Sequence, residues 1–595
     1  MMTVRIESLV EAMTLDEKIG QITQVDRSAI TPEEVAEFGI GSILSGGGGN
    51  PDPNTPQTWR AMVDAYVDAS RRSRLGVPIL YGTDAVHGHS NVVGATVFPH
   101  NLALGAAGDP ELVSRVARAT AIETAATGAR WAFSPMVAVP QDPRWGRTFE
   151  CFGQDPDMVA ELGAASVAGL QGTGPGIDVL ACAKHFVADG GTTWGTTGGA
   201  QWVPWWVRAY GSPGWYLDQG DARIDETTLR AVHLPPYQAA VAEGVGSIMA
   251  SYSSWNGHKV HAHRWLLTDL LKDELGFQGF VVSDYHAIDQ VSPDYHDAVV
   301  RCLDAGVDMV MVPFDHARFR GTVRAAVEAG DLAVERLDDA VRRILRVKAA
   351  MGLLDGTAQP LPEPGVLGAP EHRALARQAA AAGAVLLTDR SGVLPLPADA
   401  TVLLAGAGAD DVGLACGGWT IEWAGGAGPV TPGSTIADGL AEHLGSRLLA
   451  TGATAEDRRA LDGAIARIGV VVVHEHPYAE GMGDREHVAL EPDQAELVRA
   501  VAARVEQVVV VVLSGRPLAL GPVIDLSDAL VAAWWPGSEA AGIADVLVGA
   551  APFTGTLPLP WPDGDLVSPS PAPGPAQPPR WLPGHGLVAG RSATG

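Results

Sequence analysis

Cysteine is scarce in this chain. Four residues, Cys151, Cys182, Cys302 and Cys416, are scattered through 595 with no C-x-x-C pair. This excludes a disulfide-held scaffold and a thiolate metal site, and it suits a reducing compartment. Basic side chains are also short: 41 Lys plus Arg stand against 69 Asp plus Glu, a net charge of −28. A field that negative repels phosphate, so neither nucleic acid nor an anionic membrane is expected as a partner. No run of about 20 apolar residues exists to span a bilayer. No apolar stretch follows Met1-Met2-Thr3-Val4-Arg5-Ile6-Glu7 either, so no secretory leader is read and a cytoplasmic location is expected. Charged residues make up only 18% and apolar ones 46%, which excludes disorder for most of the length. At roughly 100–200 residues per domain, the chain is too long for one core.

Tryptophan, by contrast, is plentiful. Sixteen occur, and many sit beside Gly, Asn or Gln, as Trp194, Trp202, Trp205, Trp206, Trp215, Trp255, Trp419 and Trp423 do. Flat aromatic faces among hydrogen-bonding groups match a sugar ring, whose C–H faces stack while its hydroxyls bond sideways. For any single tryptophan, packing under a loop explains the same pattern.

From about residue 35 to 315 one unit recurs: a short apolar run, a polar residue, then a helical stretch. The runs are Ile40–Leu44, Pro78–Tyr81, Trp131–Ser134, Val179–Ala183, Ser247–Ala250, Phe280–Ser283 and Val307–Val312. Alternation of this kind implies parallel strands with helical crossovers. Seven legible units predict a (β/α)8-like, TIM-type barrel over 1–354, with the residues after each strand forming the active face. Pro and Gly crowd 355–370, which reads as a linker. Strands Thr401–Ala405, Gly469–Val473, Gln507–Leu513 and Leu530–Trp535 predict an open α/β sandwich over 371–566. Helices are expected at Ala455–Ile468, Pro492–Val505 and Glu539–Val548. A Pro-rich tail spans 567–595.

Two segments concentrate reactive groups. The run Phe280–Ser283 delivers Asp284, which either N-caps the next helix or faces the barrel mouth; position leaves both open. The run Val470–Val473 opens into a loop holding His474, Glu475, His476, Tyr478, Glu480 and Asp484. Such a loop could lean over the barrel mouth and complete a cleft. Two carboxyls facing across a cleft are the minimum for cutting a glycosidic bond, one ionised and one protonated, in surroundings that split their acidities.

These segments, with most of the strand ends, resemble family three of the glycoside hydrolases, in particular its two-domain β-glucosidases and exo-acting β-glucan glucohydrolases. The likeness runs through Thr14–Gln21, Gly82–His89, Phe98–Asn101, Asp142–Arg147, Lys184–Phe186, Ala250–Gly257, Ser283-Asp284, Gly417–Trp423, His474–Asp484 and Ser514–Pro517. It implies Asp284 as nucleophile and Glu480, rather than its neighbour Glu475, as acid/base. It further implies Asp84, Arg147, Lys184 and His185 as hydroxyl-gripping groups, with Tyr252 and Tyr285 beside the nucleophile and Trp423 stacking on the leaving-group sugar. A pocket satisfying every hydroxyl of a terminal ring implies exo action, and a short carbohydrate as the partner. Cations beside Asp84 and Asp284 would keep both ionised. No cofactor or metal is implied. Within the family, β-xylosidase and N-acetylhexosaminidase activities are the alternatives; Lys184-His185-Phe186-Val187-Ala188-Asp189 breaks the hexosaminidase motif. An inactive sugar-binding protein is a third.

Three departures stand out. Tyr285 replaces the Trp of the plant enzymes, Gln290 stands where a basic residue is frequent, and 190–220 carries five tryptophans. That stretch would line outer subsites or contact another chain, as in a homo-oligomer. Other motifs read as structural. Gly46–Gly49 lacks a Gly-Lys-Ser/Thr ending, and Gly406-Ala407-Gly408 lacks a third Gly. His258, His261 and His263 read as packing and hydrogen bonding rather than a metal cluster. Ser283 has no Gly-x-Ser-x-Gly elbow.

Overall fold

The computed structural model describes residues 2–172, 174, 176–197, 215–450, 466–564 and 578–589. The chain forms two compact units. The first comprises Met1–Val92, Val113–Val139 and Val159–Leu367, the second Val93–Leu112, Pro140–Met158 and Gly368–Gly595. The second unit thus takes two segments from within the sequence span of the first, one of which carries Arg147.

Eight strands organise the first unit: β1 (Thr23–Asp26), β2 (Ser42–Ser45), β3 (Leu80–Thr83), β4 (Trp131–Ala132), β5 (Cys182–Phe186), β6 (Ser247–Ala250), β7 (Phe280–Val282) and β8 (Val310–Met311). Parallel ladders run β8-β1-β2-β3-β4 and β5-β6-β7. Parallel bridges at Trp131↔Leu180, Met136↔Lys184 and Val282↔Met309 join the two sets, so the ring closes as a (β/α)8 barrel. Its interior is packed, with Trp131 edge-on to Phe133 at 5.0 Å and to Phe280 at 5.3 Å. Gly82 leaves room for this: a Cβ there would come within 2.4 Å of the Phe133 ring.

β1 is the strand that the apolar pattern does not reveal. Thr-Gln-Val-Asp has one aliphatic residue, yet all four are buried. Gln24 bonds to the neighbouring strand, its Nε2 donating to Ser42 Oγ at 2.8 Å. The helical stretch over 226–242 is broken into Glu226–Thr228, a wider π-type turn Leu229–His233, and Pro235–Ala242. Pro235 and Pro236 lack N–H donors, so the ladder cannot run through them unbroken.

In the second unit, β9 (Val385–Asp389), β10 (Val402–Ala405), β11 (Leu448–Ala450), β12 (Ile468–His474), β13 (Gln507–Leu513) and β14 (Ala529–Ala532) form one sheet in the order β9-β14-β13-β12-β10-β11. All pairs are parallel except the edge pair β9/β14. Successive residues of β13 enter opposite cores. Val509, Val511 and Leu513 pack with Ile543 and Leu547, while Val508, Val510 and Val512 pack with Val498 and Val501. Burial on both faces explains the unbroken aliphatic runs. The helix expected at Ala455–Ile468, tryptophans 202, 205 and 206, and most of the Pro-rich tail lie outside the described residues, and Ile468 opens β12.

Candidate active site

In the first unit, the ends of β3, β5 and β7 bring Asp84, Lys184, His185 and Asp284 together. Asp84 follows β3, and Lys184 Nζ stands 3.6 Å from its Oδ1, with the lysine almost wholly buried. His185 faces two carboxylates, with Nδ1 2.9 Å from Asp189 Oδ2 and Nε2 3.6 Å from Asp284 Oδ2. Asp284 caps no helix. The next helix, Tyr295–Ala305, is capped by Asp294, and Asp284 Oδ1 accepts locally, from Tyr285 N at 2.7 Å. By contrast, Asp315, also at a strand end, does cap its helix, accepting from Arg318 N.

The backbone at Asp284 is fixed from both sides. Its N–H donates to His261 Nε2 at 3.1 Å. Ser283 N donates to Met309 O at 2.9 Å, and Ser283 Oγ accepts from Met311 N at 2.8 Å. Burial, helped by nearby Lys259, pulls His261 down to about 3, which leaves Nε2 free of a proton to accept. His261 is therefore a hydrogen-bonding histidine, as its sequence suggests, but its place behind Asp284 is visible only in the fold. His263 stacks obliquely on Trp255, 5.5 Å between centroids. Among the described residues, no three His, Cys, Asp or Glu side chains are grouped to hold a metal ion.

Tyr252 and Tyr285 meet, the Tyr252 hydroxyl donating to Tyr285 O. Burial, together with Asp26 and Asp84, pushes the Tyr285 phenol far up, so it stays protonated. Gln290 is not idle: its Oε1 accepts from Lys259 Nζ at 2.9 Å and its Nε2 donates to Gln219 at 2.9 Å. Lys259 also donates to Tyr252 O at 2.7 Å. Burial draws it down to about 8, against the pull of Asp218 and Asp221. The cation thus enters from the loop after β6, a position that carries no signal in the sequence.

The second unit gathers Arg147, Glu480 and the tryptophan pair. Arg147 makes a buried, two-pronged contact with Glu150, Nε to Oε1 and Nη2 to Oε2, both 2.9 Å. Its remaining Nη1 reaches Glu480 Oε1 at 3.3 Å. The guanidinium also lies 6.0 Å from the Trp419 ring centroid. Trp419 donates its backbone N–H to Trp423 O at 2.9 Å, and the two rings stand edge to face at 6.5 Å. Trp423 is half-buried and Trp419 buried. Gly146 lets the loops touch: a Cβ there would fall 1.9 Å from Glu480 O and 2.7 Å from Gly483 Cα. Gly146 N also donates to the buried Asp484 at 2.8 Å.

The loop's two glutamates differ sharply. Both Arg516 Nε and Nη2 donate to Glu475 Oε1, at 3.0 and 2.9 Å, while Tyr478 Oη donates to Oε2 at 3.0 Å. With Arg516 completely buried, Glu475 is held as a structural anion. Glu480 is more exposed, and its residue adopts φ 50°, a left-handed conformation that turns the loop.

The family model described as "Glycosyl hydrolase family 3 N terminal domain" matches residues 14–204 and 215–347, and "Glycosyl hydrolase family 3 C-terminal domain" matches 384–583. A protein named lysosomal beta glucosidase from Dictyostelium discoideum is 31% identical, over 95% of this chain and 73% of its own length. A periplasmic beta-glucosidase from Salmonella typhimurium is 30% identical over 94% and 74%. Among solved structures, the Q683A mutant of an exo-1,3/1,4-beta-glucanase, ExoP, from a Pseudoalteromonas species superposes with a TM-score of 0.89 at 37% identity. The match covers 99% of this chain and 96% of that one.

Proposed function

The chain belongs to glycosyl hydrolase family 3, and from that membership we propose a retaining, exo-acting β-glucosidase with Asp284 as nucleophile and Glu480 as general acid/base. It is a glycoside hydrolase. The reading of its substrate as a glucose-terminated β-glucoside or short β-glucan rests on relatives named beta-glucosidase and exo-1,3/1,4-beta-glucanase.

The observation that carries the residue assignment is the contrast among carboxylates. Asp284 sits at a barrel strand end with no capping duty; Glu475 takes two bonds from the wholly buried Arg516 and one from Tyr478, whereas Glu480 is more exposed and meets Arg147 at 3.3 Å. In the proposed first step, an Asp284 oxygen attacks the anomeric carbon as Glu480 gives its proton to the departing oxygen. The glycosidic bond breaks and a glycosyl ester forms. In the second, Glu480 takes a proton from water, which attacks the same carbon and frees Asp284. Asp84, held beside Lys184, accepts from sugar hydroxyls, while Lys184, His185 and Arg147 grip the rest of the terminal ring. A wrong epimer leaves one of these buried charges unmatched.

The test is turnover of an aryl β-D-glucoside by the purified chain and by Asp284→Asn. An amide cannot attack, so kcat should fall by more than about 10³-fold at an unchanged melting temperature. Substantial residual turnover by a folded Asp284→Asn protein would remove Asp284 from the mechanism.

A further inference from the structure

The loop that leads to Glu480 carries a pair of imidazoles that the mechanism does not use. His474 closes β12 and His476 follows two residues later; their ring centroids are 4.9 Å apart, with the planes at 87°. The pairing follows from the strand. Side chains alternate along extended chain, and Glu475 N still donates to Leu513 O at 2.8 Å, so the ladder continues past His474. Glu475 turns to Arg516 on one side, and the two histidines share the other.

The pair is held at its base. Gln494 brackets the His474 backbone, accepting from its N–H at 2.7 Å and donating Nε2 to its O at 2.8 Å. The His474 side chain belongs to a residue only 9% exposed, and its buried Nδ1 has no hydrogen-bond partner among the described residues. Burial, and after it His476, draws the ring down to about 4, so at pH 7 it stands as a neutral imidazole. Asp411 and Asp493 oppose that shift, which sets two carboxylates near the ring. His476 is exposed and open to solutes.

These properties suit a cation with a taste for nitrogen. A metal ion takes imidazole in its neutral form. Two imidazoles on one tetrahedral ion, each about 2.0–2.1 Å from nitrogen to metal, place their ring centroids about 5 Å apart. Nitrogen donors favour zinc, copper or nickel, whereas calcium and magnesium take oxygen. An anion would meet Asp411 and Asp493 in a chain whose net charge is already −28.

We propose that His474 and His476 form a site for one divalent transition-metal ion of the zinc, copper and nickel class, with water completing its shell. Two protein ligands make the site reversible, in contrast to the four of a structural zinc centre. The site lies wholly within the second unit and holds whichever carboxylates perform the hydrolysis.

The experiment is calorimetric titration of ZnCl2 into the full chain, stripped beforehand with EDTA, at pH 7. It compares the parent, His476→Ala, His474→Gln and His258→Ala. His258 is an exposed member of the other histidine cluster, 6.1 Å from the His263 ring, and serves as the control. The parent should take up one Zn2+ in its tightest class. His476→Ala should weaken that class by at least about 10-fold, and His474→Gln should do the same at an unchanged melting temperature. His258→Ala should keep the parent isotherm, and MgCl2 should give no saturable heat at the same concentrations. No saturable uptake by the parent, or an isotherm that survives His476→Ala, overturns the proposal and leaves the two rings as packing alone. Loss of binding in His258→Ala overturns it too, by placing the ion at the other cluster, and magnesium binding as tight as zinc contradicts an imidazole donor set.

Discussion

Glu475 and Glu480 are five residues apart and nearly indistinguishable by type, yet their surroundings assign them different work. Glu475 neutralises a completely buried arginine, so Glu475→Gln should lower stability by about 3 kcal/mol, seen as earlier melting of the second unit. Glu480→Ala should instead leave melting in place and spare aryl glycosides relative to disaccharides, because a good leaving group needs no proton. Equal losses on both substrates would take the acid role from Glu480. Family likeness alone prefers Glu480; the physical ground for setting Glu475 aside is the Arg516 contact, made by a residue 41 positions away, which no local pattern displays. Asp284 is legible as a strand-end carboxylate, but its freedom from capping emerges only where Asp294 is seen to cap the helix. His261 and Lys259 are hidden for a related reason: each acts through hydrogen bonds on neighbours in the fold, and their types are equally at home in a packed loop.

Strands that are apolar on both faces announce themselves, and β6 and β13 occupy Ser247–Ala250 and Gln507–Leu513 just as their sequences suggest. Strands stabilised by polar pairing or placed at an edge do not. β1 hides its Gln24–Ser42 bond, and β9 follows an alanine-rich helix with Gly383 as its only punctuation. The same limit applies to the loop around Glu480, whose course depends on backbone contact with the 140–158 segment. Gly146→Ala tests that contact. The added methyl would collide with Glu480 O, and displacement of the loop by about 1 Å should cost about 10²-fold in kcat on a disaccharide while circular dichroism stays unchanged. Full activity in Gly146→Ala would show that the acid/base does not depend on this packing.

The barrel unit buries His89 and His261, each drawn down to about 3, and His233, drawn down to about 4, in all three cases chiefly by burial. Unfolded, these histidines take up protons near pH 6.5, but folded they do so only near 3–4. Below about 6.5 the unfolded chain therefore binds more protons, and stability must fall as pH drops toward 4. The first unit's urea midpoint should decline from about pH 7 to about pH 5, and a flat profile would mean that these rings are not held neutral.

The proposed mechanism passes through a covalent glycosyl–Asp284 ester, and two displacements at one carbon restore its configuration. The most direct measurement is proton NMR of the first glucose released from an aryl β-D-glucoside, read before mutarotation. The β-anomer should appear first; the α-anomer appearing first would contradict a double displacement.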